Sequence, residues 1–143
     1  VLSLELQQIA NVRIVQQQYE AFARRDWTSL ASLLDDNVDW LFFGPSTIPF
    51  TGHFHGPQQV LGFFQNALRT AEFLEFEPQE FLPAGEHDVL VQGWERVRAL
   101  NTGRIWETEW AHVFRVRGGK IARLREYYDT AVMVAAFEDR PTN

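Results

Sequence analysis

The spacing of apolar side chains along this chain changes period partway through. From Leu4 to Arg25 they recur at steps of three and four, with Val12, Val15, Tyr19 and Phe22 on one stripe. That spacing predicts a helix with Tyr19 turned to the core. Asp26 can cap a second, short helix whose buried side is Leu30, Leu33 and Leu34. Asp35-Asp36-Asn37 reads as a turn, and Val38 to Phe43 as a strand with Asp39 on the face of Leu41 and Phe43. Gly44 to Gly56 reads as a long loop carrying His53 and His55, expected to close the mouth of a pocket. Gly56-Pro57 opens a third helix, with Val60, Leu61, Phe64, Ala67 and Leu68 on its apolar side. Phe73 to Leu82 is extended, and Pro78 within it marks an edge or a bulge.

From His87 to Thr130 the period becomes two, which predicts three consecutive antiparallel strands. One face carries Val89, Val91, Gly93, Glu95, Val97 and Ala99 on the first strand. It continues with Trp106, Thr108, Trp110, His112, Phe114 and Val116 on the second, and Ala122, Leu124, Glu126 and Tyr128 on the third. Three ionisable residues, Glu95, His112 and Glu126, interrupt this apolar face. A buried carboxylate without a partner is costly, so the intrusions call for a chemical reason. A tight turn at Thr102-Gly103 predicts Arg98 opposite Glu107, Arg96 opposite Glu109, Glu95 opposite Trp110 and Gly93 opposite His112. A three-residue loop at Arg117 to Gly119 predicts Glu126 opposite Trp110 and Leu124 opposite His112. In that register Glu95 and Glu126 flank Trp110, with His112 diagonal to both.

Helices first and an antiparallel meander after them predict an α+β fold, with helices packed on one face of a curved sheet. The length of 143 residues argues a single domain over residues 1–137 with a tail from 138 to 143. A net charge of −6 with scattered arginines argues against nucleic acid. The absence of cysteine removes thiolate chemistry. No apolar run reaches membrane-spanning length, and the first residues lack the basic start of a secretory signal, so the expected location is cytoplasmic. No glycine-rich phosphate loop stands at a strand–helix junction, so no cofactor is expected. Glu95, His112 and Glu126 are a conceivable donor set, but Trp110 fills the space between the carboxylates and no metal is expected there.

Three stretches carry a family resemblance: DWTSLASLLDDNVDW, TGHFHGPQQV before the third helix, and HVFRVRGGKIARLREYYD near the end. With them the chain resembles the cone-shaped superfamily of nuclear transport factor 2, ketosteroid isomerase and the SnoaL-type polyketide cyclases. The resemblance implies a curved, mostly antiparallel sheet wrapped around N-terminal helices, a small-molecule pocket and a homodimer. RALNTGR and GGKIARLREYYD also resemble limonene-1,2-epoxide hydrolase. The Asp-Arg-Asp arrangement of those hydrolases matches Glu95, Gly93 and Glu126 here, so the central arginine is missing. Against the ketosteroid isomerases, Tyr19 lies close to the helix tyrosine, His112 falls at the second acid and Leu41 at the base, with Asp39 as a substitute base.

The expected activity is cofactor-free proton transfer on an apolar substrate, of isomerase, cyclase or dehydratase type. A non-catalytic ligand carrier or assembly module, and an epoxide hydrolase variant, are the alternatives. The candidate catalytic residues are Glu95, His112, Glu126, Asp39 and Tyr19. The candidate substrate-binding residues are Trp40, Leu41, Phe43, His53, Phe64, Trp110 and Tyr128.

Overall fold

The computed structural model describes residues 3–139. Helix α1 (Leu4–Arg24) starts at Ser3, whose hydroxyl accepts from Leu6 N, and stops at Arg25 in the left-handed region (φ 55°). Helix α2 (Trp27–Ser32) is capped by Asp26, as its position in the sequence predicts. Strand β1 (Leu34–Phe42) and the short β2 (Gly52–His55) pair antiparallel, followed by helix α3 (Gly56–Thr70) with Pro57 in its first turn. Strands β3 (Ala71–Ala84), β4 (Asp88–Ala99), β5 (Ile105–Arg117) and β6 (Lys120–Tyr128) follow, then helix α4 (Thr130–Phe137). The strands form one sheet in the order β2-β1-β6-β5-β4-β3, antiparallel except for β1 with β6. Side chains of α1, α3 and α4 join the inner face of this sheet in a single buried cluster. No helix among the described residues is long and apolar enough to cross a membrane.

Several sequence expectations shift. Asp35-Asp36-Asn37 does not precede the strand but interrupts it. The β1–β6 register slips across these residues, and Asn37 N donates to Asp35 Oδ2 at 2.8 Å. The expected long loop ends early, because Gly52–His55 forms β2. Ile48 and Phe50 in the remaining segment are buried. Pro78 lies on the edge strand β3, where the register slips between Pro78 and Glu80. Residues 138 and 139 of the expected tail are described: Glu138 caps α4, with its N–H bonded to Val134 O, and 140–143 lie outside the described residues.

Both hairpin registers differ from expectation by two residues, for separate reasons. Glu95 is opposite Thr108 and Gly93 opposite Trp110, while Arg96, not Arg98, faces Glu107. The turn is longer than two residues because its side chains have another task. Asn101 and Thr102 donate to the carbonyls of Phe137 and Ala136, the orphan acceptors at the end of α4. The second hairpin turns in two residues, Gly118-Gly119, both at positive φ (56° and 74°). The parity this turn would break is restored by a bulge. Arg115 pairs with Arg123 but Val116 with Ile121, so Ile121 and Leu124 are both buried three residues apart. Glu126 therefore faces His112, and Tyr128 faces Trp110.

Gly93 is required by what lies across it. A Cβ there would stand 2.2 Å from Cζ2 of Trp110. The indole has no room to yield, since it stacks on Phe76 (5.0 Å between centroids) and His112 (4.0 Å). Gly93→Ala is expected to cost about 1–3 kcal/mol in a urea titration, as overpacked cores do. A variant as stable as the wild type would show that the stack is loose.

Candidate functional site

Two polar groups stand apart on the inner face, each built by a different pair of strands. The larger centres on His112 of β5. Its Nδ1 is 2.6 Å from the hydroxyl of Tyr19, which α1 lowers onto the sheet. Its Nε2 is 3.1 Å from Glu126 Oε1 and 2.8 Å from the Tyr128 hydroxyl. The other oxygen of Glu126 accepts from Trp40 Nε1 at 2.9 Å, and Tyr128 adds a long bond of 3.4 Å to Oε1. A proton on Nε2 of His112 satisfies both sides: Tyr19 donates to Nδ1, and the ring donates to the Tyr128 hydroxyl, which in turn donates to Glu126. All five side chains are bonded within the group, so their positions are set before any ligand arrives.

The second group is Glu95 of β4, which is 1% exposed. Its Oε2 accepts from Trp106 Nε1 at 2.6 Å, and its Oε1 bonds no other group. Burial pushes its pKa up from the ordinary 4.5 to about 8; the Trp106 bond opposes this and the Glu126 charge adds to it. Burial thus favours the protonated form of Glu95, whose Oε1 is unpaired. The phenols of Tyr19 and Tyr128 are held well above their ordinary 10.0, by burial first and by nearby carboxylates second. Both remain O–H donors.

These groups border a cavity of about 40 Å³, walled mainly by rings such as Phe22, Phe42, Phe64 and Phe76. That is room for roughly three water-sized groups, so a larger ligand needs side chains to rotate. Gln18 also lines it, with its Oε1 unbonded. The expected pair of carboxylates flanking Trp110 is not found. Their partners on β5, Thr108 and His112, are four residues apart, on the order of 13 Å along the strand. They form two separate acids rather than a dyad.

Of the candidate residues, the structure brings Glu95, His112, Glu126, Tyr19, Trp40, Phe64 and Tyr128 to the cavity. Trp110 does not line it but stacks on His112, with Nε1 unbonded. Asp39, Leu41, Phe43 and His53 lie elsewhere. Val38, Trp40 and Phe42 take the inner side of β1, which turns the odd-numbered residues outward. Asp39 there pairs with Arg125 (3.1 Å) and His53. Burial raises its pKa, but the bonds to Arg125 and His53 outweigh that and hold it below 3.8. The base positions inferred from the ketosteroid isomerases, Leu41 and Asp39, are therefore outside the cavity. No arginine lines the cavity, so the arginine of the epoxide hydrolase arrangement has no counterpart among the described residues.

Gln18 and Phe42 at the cavity, and Trp106 as the anchor of Glu95, join the site beyond the residues the sequence points to. Gln18 had a signal: Asn11, Val15, Gln18 and Phe22 repeat at four, three and four residues, and all are buried. Two polar members on a helical stripe mark a polar task in the core. Phe42, stacked 4.8 Å from Tyr128, had only strand parity as a signal.

A SnoaL-like domain model matches residues 15–124. Among solved structures, a nuclear transport factor 2-like protein of Burkholderia xenovorans is 30% identical, with a TM-score of 0.83 over 90% of this chain and 96% of that one. A second, of unknown function, from Burkholderia pseudomallei is also 30% identical, with a TM-score of 0.79 over 90% and 97%. A Catenulispora acidiphila protein with a ketosteroid isomerase-like fold, in complex with trimethylamine, is 17% identical, with a TM-score of 0.71 over 86% and 90%. A search of curated proteins finds no match. The helices enclosed by a curved sheet, the matched length and the two relatives agree: this chain belongs to the SnoaL-like domain family, on the nuclear transport factor 2-like fold.

Proposed function

We propose that the protein binds a compact, largely apolar molecule in the ring-walled cavity and moves a proton on it without a cofactor. The observation that carries this reading is the buried group Tyr19, His112, Tyr128 and Glu126 lining one cavity with Glu95, whose Oε1 is unbonded. One side accepts a proton from a carbon acid at the Glu126 carboxylate, which becomes the carboxylic acid while Trp40, Tyr128 and His112 hold it in place. The other donates a hydrogen bond from the Glu95 carboxyl to the oxygen on which negative charge develops. Opposed proton-accepting and proton-donating groups fit isomerisation, cyclisation or dehydration next to a carbonyl.

Deuterium exchange tests this directly. Small cyclic enones and aryl ketones are incubated with the protein in D₂O, and exchange at the carbon next to the carbonyl is followed by NMR. Exchange at least 100-fold above buffer supports the reading. Ketones that shift the Tyr19 and Tyr128 ring resonances but do not exchange would favour a non-catalytic carrier.

The outer face of the meander supports a homodimer. Leu90, Ile105 and Tyr127 are 41%, 39% and 46% exposed there, interleaved with the Arg96–Glu107 and Arg115–Asp88 pairs. Amphipathic side chains among paired charges suit a partly wet interface. Trp94 and Val113 lie on the same outer side of β4 and β5, half-buried between inward-facing neighbours. Equilibrium sedimentation is expected to give a dimer at micromolar concentration, and a monomer for the Trp94→Glu, Val113→Glu double variant. A monomeric wild type removes the proposal.

A further inference from the structure

We propose that Asp39, His53 and His55 bind a divalent transition-metal ion of the zinc class on the outer face of the β1–β2 ladder. The sequence predicts no metal, and only its inner cluster of Glu95, His112 and Glu126 stands out there as a donor set. The residues in question lie on the opposite side of the sheet, and the site is independent of the cavity reading. The ladder brings them together. Asp39 is directly opposite His55, and Leu41 is opposite His53, so His53 is diagonal to Asp39. Alternation then puts all three side chains on one face, away from Trp40 and Phe42. One donor atom from each lies within 4.8 Å of the others. A tetrahedral shell with bonds of about 2.1 Å holds its donors about 3.4 Å apart, so closing on an ion needs little more than 1 Å of movement. The rings that must move are exposed, whereas the backbones that carry them are paired.

The surroundings support a ligand set rather than a simple ion pair. His53 Nε2 meets Asp39 Oδ1, two atoms with lone pairs that tolerate each other only with a proton or a cation between them. The His53 and His55 rings stand 4.3 Å apart, and no hydrogen bond holds the His55 ring among the described residues. Arg125 donates to the other oxygen of Asp39 at 3.1 Å and to its carbonyl at 3.3 Å. That leaves Oδ1 turned to the histidines, as outer partners of metal ligands do. The His55 N–H is tied to Gln59 Oε1 at 2.8 Å, which steadies the end of β2. Two imidazoles and one carboxylate select Zn²⁺, Ni²⁺ or Cu²⁺ over Mg²⁺ or Ca²⁺. Three protein ligands leave a position open to water or an outside ligand. The Arg125 charge beside the carboxylate weakens its hold on a cation.

The test is calorimetric titration of the full chain, untagged and stripped by a chelator, with Zn²⁺ at pH 7.5. The expected result is one equivalent bound with a Kd of about 1–10 μM, a free energy near that of micromolar complexes. His53→Ala and His55→Ala are each expected to weaken binding at least tenfold, and the double variant to abolish it. His87→Ala, on the β3–β4 side of the sheet, should leave it unchanged. Co²⁺ in place of Zn²⁺ should give visible absorption bands that vanish in the double variant. Circular dichroism confirms that the exposed substitutions leave the fold intact. A wild type with no binding below 1 mM overturns the proposal. So does tight binding that survives the double variant.

Discussion

Glu126→Gln is expected to fold normally and to lose proton transfer by about 10²–10⁴-fold, the usual share of a general base. The glutamine oxygen can still accept from Trp40 Nε1, so the anchor at 2.9 Å survives. Its amide nitrogen cannot accept from the Tyr128 hydroxyl and has no lone pair to take a proton from a substrate. The bonds of His112 to Tyr19 and Tyr128 remain, so the loss falls on the proton acceptor itself. Ligand affinity should stay within about tenfold, or roughly 1.4 kcal/mol, because the cavity walls are apolar rings that the change does not touch. The measurement is the exchange rate of a bound ketone against its binding constant. A variant that binds and exchanges like the wild type takes Glu126 out of the mechanism; one that unfolds shows the cluster to be structural.

The second large effect is on stability, and it depends on pH. Glu95 has its folded pKa raised from 4.5 to about 8, mainly by burial. The folded state therefore holds a proton that the unfolded state releases between those two values. Glu95 weighs nothing against folding below about pH 4.5, costs progressively more up to about 8, and a constant amount above. The gap between 4.5 and about 8, at ~1.36 kcal/mol per pH unit, is roughly 5 kcal/mol as an upper figure. Glu95→Gln keeps the bond from Trp106 Nε1 and has no charge to release. Urea titrations at intervals from pH 4.5 to 8.5 should show the variant gaining on the wild type throughout and exceeding it by several kcal/mol at the alkaline end. Asp39 does not disturb the comparison. Its pKa is lowered, so what it contributes is present above 3.8 and lost only in more acid solution. A difference between the two proteins that is flat with pH would mean that Glu95 is ionised in the folded state.

Most of the inner face was legible because it rests on parity alone. Val89, Val91, Glu95, Val97 and Ala99 on β4, and Trp106, Trp110, His112, Phe114 and Val116 on β5, all came out buried as alternation predicts. A two-residue slip conserves parity, so the misplaced registers did not disturb these faces. The slip did change which residues meet. His112 gained Glu126 as a direct partner, and Glu95 lost Trp110 for Thr108. Strand β1 failed differently. Both of its faces are apolar, so alternation could not say whether the Asp39 or the Trp40 side turned inward.

The one-dimensional pattern determined what depends on neighbours in the chain. The helix cap at Asp26, the helix start at Gly56-Pro57, the stripe that turns Tyr19 inward, and the three ionisable intrusions on the sheet's inner face are of this kind. These are local because a hydrogen bond or a side-chain direction is set within a few residues. The tertiary structure decided what depends on distant groups. The first hairpin was lengthened by the carbonyls at the end of α4, more than thirty residues away. The second kept its two-residue turn because a bulge took up the mismatch. Asp39 was turned outward because Trp40 and Phe42 had more apolar surface to bury and Arg125 waited on the other side. Each outcome is a competition for burial or for a partner between elements far apart in the chain, and only the assembled sheet settles it.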